Sequence, residues 1–396
     1  MSTAISGKSL TPAQRRRATL DRKGFTESRR LATKAPTRAF YWITASISML
    51  ILFGLIMVLS SSSIVAINRG GSAWNMFRKQ ATWAMFGAFA MVTTYRMPYH
   101  MWRRWVTPVL AFAFALMLLP FAPGLGISIN GARAWVSVGP INFQPSEVLK
   151  LAVLLFCCNL LGRRRSEITN LRRTFIPVIV VWGFSGGLCL LQGDLGGAIV
   201  FSAIILSVLF IAGVPLRLIG ASAAIAGTMG LGAVMVTATR RNRWTAFLDL
   251  NGTKGHYGYQ VWESILSIAN GGLLGVGAGE GTGKWGYVPL AHSDFIFAII
   301  AEEFGLVGAL GVIGGFLILA YFGIQAAIGA RDPFGAVLAG GITTWFCTQA
   351  FINIGGVTGA MPVTGLTLPL ISYGGSSLFM SMAAAGLLLN VARNMK

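Results

Sequence analysis

An all-α polytopic membrane protein of ten transmembrane helices, with both termini cytoplasmic and a long extracytoplasmic loop between the seventh and eighth helices, is the fold class this sequence predicts. Three observations carry that expectation. Hydrophobic residues make up 54% of the 396 and charged ones only 11%, a balance that soluble globular chains do not reach. About ten apolar stretches approach the length that a helix needs to cross a bilayer, roughly 20 residues. Lys and Arg are crowded into alternate loops, which fixes orientation.

The first apolar run, 41–67, is too long for the core of a signal peptide and lacks a small-residue cleavage site, so it is expected to stay as an anchor. Further runs follow near 81–96, 105–122, 146–162, 174–192, 195–213, 216–239, 294–328, 334–354 and 370–392. The run 294–328 exceeds one crossing, so it is expected to tilt strongly or to project beyond the lipid. Glycine, at 50 residues, suits helices that must approach closely where no hydrophobic force draws them together. Cys157, Cys158, Cys189 and Cys347 lie inside apolar runs, without the polar loops of a disulfide framework or zinc site, and read as small core residues.

Residues 1–38 hold ten basic side chains, and alternate loops bring that side's total to 22 of the 32 Lys and Arg. The other side receives nine over longer loops, which by the positive-inside rule places both termini in the cytoplasm. The net charge of +20 therefore reports topology before it reports a partner. Residues 1–38 carry no recognition element for nucleic acid, and are expected to form a disordered basic arm held near anionic membrane lipids. Residues 39–396 form one membrane domain with outer loops near 121–145 and 240–293, long enough to carry function. No domain-scale repeat of the kind that builds transporters from matched halves is visible.

With only twelve acidic residues, each can be placed. Asp21, Glu27, Glu167 and Asp332 fall on the cytoplasmic side; Glu147, Asp194, Asp249, Glu263, Glu280, Asp294, Glu302 and Glu303 fall outside or in the membrane. Ionisable groups at membrane depth are costly, so they pair, face a cavity or serve a pathway. In PSEVLK, Glu147 and Lys150 share a helix face, either as a self-neutralising pair or as a cleft cation for a phosphate with Glu147 orienting it. Arg133 in GARAW stands beside Trp135, either as a snorkelling interfacial pair or as a guanidinium matched to pyrophosphate oxygens.

Asp194 in QGDLGG and Asp294 in AHSDFIF each precede an apolar helix, where a carboxylate caps free N–H groups. Asp294 has more around it. His292 and Ser293 precede it, a long outer loop delivers it, and Glu302 and Glu303 follow roughly 12–14 Å deeper at ~1.5 Å per residue. Those glutamates need partners, and Arg243 is a candidate. The stretch GGLLGVGAGEGTGKWG fails the phosphate-loop pattern, because Ala278 and Trp285 occupy positions that require Gly and Ser or Thr. It reads as a flexible, backbone-exposed loop.

Through GARAW, FQPSEVLK, QGDLGG, GYQ followed by Ser264, HSDFIFAIIAEEFG and TGLTLPLISYGGSS, in that order, the chain resembles the FtsW/RodA (SEDS) family over roughly residues 40–393. The basic arm and the LTLPLISYGGSS ending are more similar to the cell-division branch than to the elongation branch. What the resemblance implies is a peptidoglycan glycosyltransferase of ten spans that polymerises lipid II into β-1,4-linked glycan on the outer face of the bacterial cytoplasmic membrane, at the division septum. The family's essential carboxylate falls on Asp294. Its polar cavity residues fall on Arg133, Lys150, Gln192 and Asp194, with His292, Ser293, Glu302 and Glu303 beside the carboxylate. Gly193 stands where many relatives have proline, and Leu290 where many have a charged residue. The implied partners are a class B penicillin-binding protein transpeptidase and other divisome proteins.

The residue inventory suits that chemistry. A sugar α-linked to pyrophosphate carries its own leaving group, so inverting transfer needs one base, Asp294, and cations for the departing charge. Arg133 and Lys150 fill that role, joined by Arg243 or by a divalent cation, Mg or Mn; no metal ligand is assigned. The alternatives are a transporter that flips lipid II and a non-catalytic divisome scaffold for a transpeptidase.

Overall fold

The structure, a computed structural model, describes residues 36–68, 70–129, 131–139 and 141–395. The expected basic arm lies, as far as residue 35, outside the described residues. The helices are α1 (Arg38–Asn68), α2 (Asn75–Arg96) and α3 (Trp102–Leu118). After three strands, β1 (Gly126–Ile129), β2 (Ala132–Val138) and β3 (Ile141–Phe143), come α4 (Pro145–Arg163), α5 (Ile176–Leu191), α6 (Leu195–Ala212) and α7 (Leu216–Val236). Two shorter helices, α8 (Ala238–Leu248) and α9 (Tyr259–Gly271), lead to α10 (Ile296–Ile328), α11 (Pro333–Val357) and α12 (Gly375–Arg393).

Among the described residues, nine helices are long and apolar enough to cross a membrane. The tenth expected span, α2, has the length at 22 residues, but Arg78, Lys79 and Gln80 in its first turns make it too polar on composition alone. Two of its polar side chains, Gln80 and Thr94, turn inward. Gln80 Nε2 donates to the Ser372 carbonyl at 3.0 Å, and the Thr94 hydroxyl to the Ala383 carbonyl of α12 at 2.9 Å. Gly87 and Gly386 let α2 and α12 come together so closely that a methyl on either would collide with the other helix, which is how helices associate where lipid removes the hydrophobic force.

Burial sorts the bundle into centre and rim. The apolar windows of α12, α4 and α11 are 89%, 72% and 72% enclosed by protein, against 11% for α7, which leans on α6 and runs into α8. The two ends of the described chain meet at one end of the bundle, where the Thr37 hydroxyl donates to the Ala392 carbonyl at 2.8 Å. Cys157, Cys158 and Cys189 are buried and Cys347 half-buried.

Three features depart from the expectation. First, the all-α class needs an amendment: the region expected as a loop at 121–145 contains an antiparallel sheet ordered β1-β2-β3, with Ile127 opposite Trp135 and Val136 opposite Phe143. The period of two in ARAWVSV buries Ala134 and Val136 and turns Arg133 and Trp135 to the other face. Second, the loop 240–293 folds into α8 and α9. Third, α10 is long because it is broken: Gly305 has φ +64° and ψ −159°, and the chain after α9 enters the break. The N–H groups of Val276 and Gly277 donate to the carbonyls of Glu302 and Glu303 at 3.0 and 3.1 Å, and that of Leu306 to the Gly272 carbonyl at 2.9 Å. Unwound backbone inside a membrane bundle persists only when protein groups satisfy it in this way.

Candidate active site

A cavity of about 2060 Å³ opens among the sheet, the starts of α4 and α6, the helices α7 and α8, and the loops before α10 and α12. That is roughly twice the ~1,000 Å³ upper end of drug-sized pockets, so it suits a larger ligand. Its polar wall carries Arg133, Lys150, Asp194, Arg243, His292 and Asp294, and its apolar wall Leu206 of α6 and Ala223, Ala226 and Leu231 of α7.

The two capping candidates separate here. Asp194 is the cap of α6, accepting from the Gly197 N–H at 2.6 Å and from Gln144 Nε2 at 3.1 Å. Burial lifts its carboxyl above the ordinary range, opposed by that amide and by Lys150. Asp294 caps nothing, because α10 starts at Ile296 behind Phe295, with no side-chain cap. Instead its backbone is held from behind. The Tyr373 N–H donates to the His292 carbonyl at 3.0 Å, the Ser372 hydroxyl to that of Ser293 at 2.6 Å, and Asn353 Nδ2 to that of Asp294 at 2.7 Å. Leu290, at φ +56°, opens the turn, and its carbonyl accepts from the Ser293 N–H at 3.0 Å. A left-handed leucine is strained backbone, which persists only where its surroundings dictate it. Leu370, at φ +66°, does the same in the facing loop.

Arg240, Arg243 and Trp244 sit at helical spacing on α8 and line the cavity together. A methyl on Gly365 would lie 3.7 Å from both Arg243 Nη1 and Asp294 Oδ2, so acid and cation face one another across a glycine without closing into an ion pair. Burial raises the Asp294 carboxyl to about 7, against the lowering by the Arg243 guanidinium and by a hydrogen bond from Ser293. Burial lowers Arg243 in turn, and Asp294 opposes that shift. The His292 ring stands edge-on to Tyr373 with centroids 5.6 Å apart.

On the α4 side, Lys150 Nζ lies 2.8 and 2.9 Å from the Glu147 carboxylate oxygens, donates to Gln349 Oε1 at 3.1 Å and sits 5.0 Å from the Trp345 ring. The pair is thus both self-neutralising and part of the cavity wall. Arg133 is exposed at that wall with no side-chain partner among the described residues. Gln192 also reaches the wall, with its amide nitrogen committed to the Met117 carbonyl at 2.7 Å and its backbone carbonyl accepting from the Arg133 N–H at 2.8 Å. Gly193, at φ +87°, holds a conformation closed to proline.

Glu302 and Glu303 do not join this cavity. Glu302 accepts from Asn270 Nδ2 at 3.2 Å, the Thr282 N–H at 3.0 Å and the Gly283 N–H at 3.0 Å. Glu303 accepts from Lys284 Nζ at 2.7 Å, the Ser60 hydroxyl at 2.6 Å and the Gly279 N–H at 3.0 Å. The cation of Glu303 is therefore Lys284, not Arg243, while neutral donors satisfy Glu302, and the glycine-rich segment expected to be flexible is pinned to both, with Gly283 and Lys284 buried. Among the described residues no three His, Cys, Asp or Glu side chains cluster to hold a metal. Asn353, Arg240 and Lys284 escaped the reading of the sequence. The lone Asn353 and Gln349 in an otherwise apolar run were the available signal.

Comparison with known proteins gives consistent results. The FtsW/RodA/SpoVE family model, described as a cell cycle protein, matches residues 40–396. A Geobacter metallireducens protein named "Probable peptidoglycan glycosyltransferase FtsW" is 37% identical over 344 residues, covering 87% of this chain and 92% of the relative. A structure described as "Structural coordination of polymerization and crosslinking by a peptidoglycan synthase complex" is similar with a TM-score of 0.73 and 27% identity, over 89% of this chain and 97% of the other. The Thermus thermophilus rod shape determining protein RodA is similar with a TM-score of 0.66 and 26% identity, over 92% of this chain and 99% of the other.

Proposed function

Because the chain belongs to the FtsW/RodA/SpoVE family, we propose that it is a peptidoglycan glycosyltransferase that polymerises lipid II into β-1,4-linked glycan at the outer face of the bacterial cytoplasmic membrane. One observation carries the reading: an acid that caps no helix, Asp294, shares a single cavity with Arg133, Lys150, Arg243 and an apolar wall. A substrate with a diphosphate, sugars and a long hydrocarbon tail needs all three environments at once.

The mechanism follows from those groups. Asp294 takes the proton from the acceptor sugar's 4-hydroxyl as its oxygen forms a bond to the anomeric carbon. The α-linked bond to diphosphate breaks on the opposite face, its electron pair leaves with the diphosphate, and the configuration inverts to β. A carboxyl raised to about 7 is better matched to this proton transfer near neutral pH than an ordinary one. Arg133, Arg243 and Lys150 offset the charge on the departing diphosphate, the guanidinium groups with the better geometry for it.

In this reading α2 supplies the tenth span, both termini are cytoplasmic and the cavity faces the outer leaflet. The likeness to the division protein of Geobacter supports a septal role. Likeness to a structure described as a peptidoglycan synthase complex supports a class B penicillin-binding protein as partner.

The test is purified chain with its cognate transpeptidase on lipid II. Long glycan is expected, and Asp294→Asn should slow its formation by at least ~100-fold while the protein stays folded. Wild-type polymerisation by Asp294→Asn would remove the base assignment. Movement of lipid II between leaflets without chain growth would make the protein a transporter.

A further inference from the structure

We infer that Asn353 is a positioning residue for this glycosyl transfer, clamping the turn that carries Asp294 to the loop that carries Gly365; the inference rests on Asp294 acting as the base. Asn353 lies near the cavity end of α11 and is 4% exposed. Its amide nitrogen donates to two carbonyls, those of Asp294 and Leu366, each at 2.7 Å. Two carbonyls around one atom identify it as the nitrogen, since an amide oxygen there would face two acceptors. Both hydrogens of the amide are thereby used.

The consequence is geometric. Leu366 follows Gly365, the residue whose backbone separates Asp294 from Arg243, so one side chain sets the distance between the acid and the segment standing between it and its cation. The neighbouring carbonyls of His292 and Ser293 are held by Tyr373 and Ser372, which lie in a loop. Asn353 ties the turn to the interior of a helix, and α11 is among the most enclosed in the bundle. A reactive group supported from a rigid helix keeps its alignment better than one supported from a loop.

The competing explanation is that Asn353 simply satisfies buried carbonyls. Asn390 provides a matched comparison: on α12, at the opposite end of the bundle and 3% exposed, its amide nitrogen likewise donates to two carbonyls, of Tyr95 and Met97. The experiment measures kcat and KM for lipid II, per folded protein and with the transpeptidase present, for Asn353→Ala, Asn390→Ala and Asp294→Asn. Asn353→Ala is expected to lower kcat by roughly 10–100-fold, the usual scale for misplacing a reacting group, with KM little changed. Asn390→Ala should keep kcat near wild type even where it lowers thermal stability. Should Asn353→Ala not be recovered folded, Asn353→Ser, which keeps one donor, is read in its place. A wild-type kcat for the Asn353 variant, or an equal fall in both asparagine variants, overturns the inference. A wild-type kcat for Asp294→Asn overturns instead the reading of Asp294 as the base.

Discussion

Two influences of opposite sign meet at Asp294: burial lifts its carboxyl and Arg243, across Gly365, pulls it down. A base works only when deprotonated, so the polymerisation rate should climb as pH rises through about 7, the value burial imposes, and be largely lost a unit or more below it. Arg243→Gln removes the lowering influence and should move that limb to higher pH, apart from any loss of kcat; an unmoved limb in a pH–rate profile would mean that Arg243 does not act on Asp294. Asp294 was legible in the sequence as the stronger candidate by its surroundings, but that Asp194 caps its helix while Asp294 does not could not be read there. Both precede an apolar helix, and only the main-chain path through the left-handed Leu290 shows that one is consumed as a cap while the other is held clear of the helix end. The partners of Asn353 were illegible for a related reason, because they are backbone carbonyls elsewhere in the chain, which no local pattern announces.

Helix α10 is where reading by elements fell short. Its run of apolar residues is legible; the break at Gly305 is not, since glycine is common in membrane helices and nothing local marks this one as unwound. The glycine-rich segment looks flexible from its glycines alone, and what fixes it is two buried glutamates on that broken helix. Lys284→Met leaves the Glu303 carboxylate buried without its cation, a loss of about 3–5 kcal/mol for pairs of this kind, and Lys284→Met combined with Glu303→Gln should regain much of it; thermal unfolding in detergent reads both. Glycines on and around α10 should divide sharply. A methyl on Gly271 would strike the Ala301 carbonyl, whereas one on Gly311 meets nothing within 4 Å. Gly271→Ala is therefore expected to lower the unfolding temperature and Gly311→Ala to leave it unchanged or slightly raised. Equal behaviour of the two would argue against the docking of the segment into the helix.

For the bundle as a whole, nine helices rather than the expected ten are apolar enough to cross among the described residues. The presence and order of the long apolar helices and the asymmetry of Lys and Arg were readable from composition and spacing. Enclosure was not, because α4, α11 and α12 at the centre and α7 at the rim are alike in apolar content. Sidedness is open to direct test, since three of the four native cysteines are buried and the fourth half-buried, leaving little background for thiol labelling. Asn251→Cys and Ser166→Cys both place a thiol at an exposed position. An impermeant reagent should reach the first in intact spheroplasts and the second only after permeabilisation, and the reverse pattern would sink the proposal of an outer-face enzyme.

The grip of Ser372 and Tyr373 on the carbonyls of Ser293 and His292, just before Asp294, comes from a part of the chain made well after Asp294 itself, as does the deeply enclosed α12. A nascent copy thus carries its acid before the loop that steadies the flanking carbonyls has been made, and on the proposed function it should be unable to string sugars together until that loop is in place. A version ending at residue 361 should accordingly insert into membranes yet make no glycan, so that completion of translation doubles as the arming step.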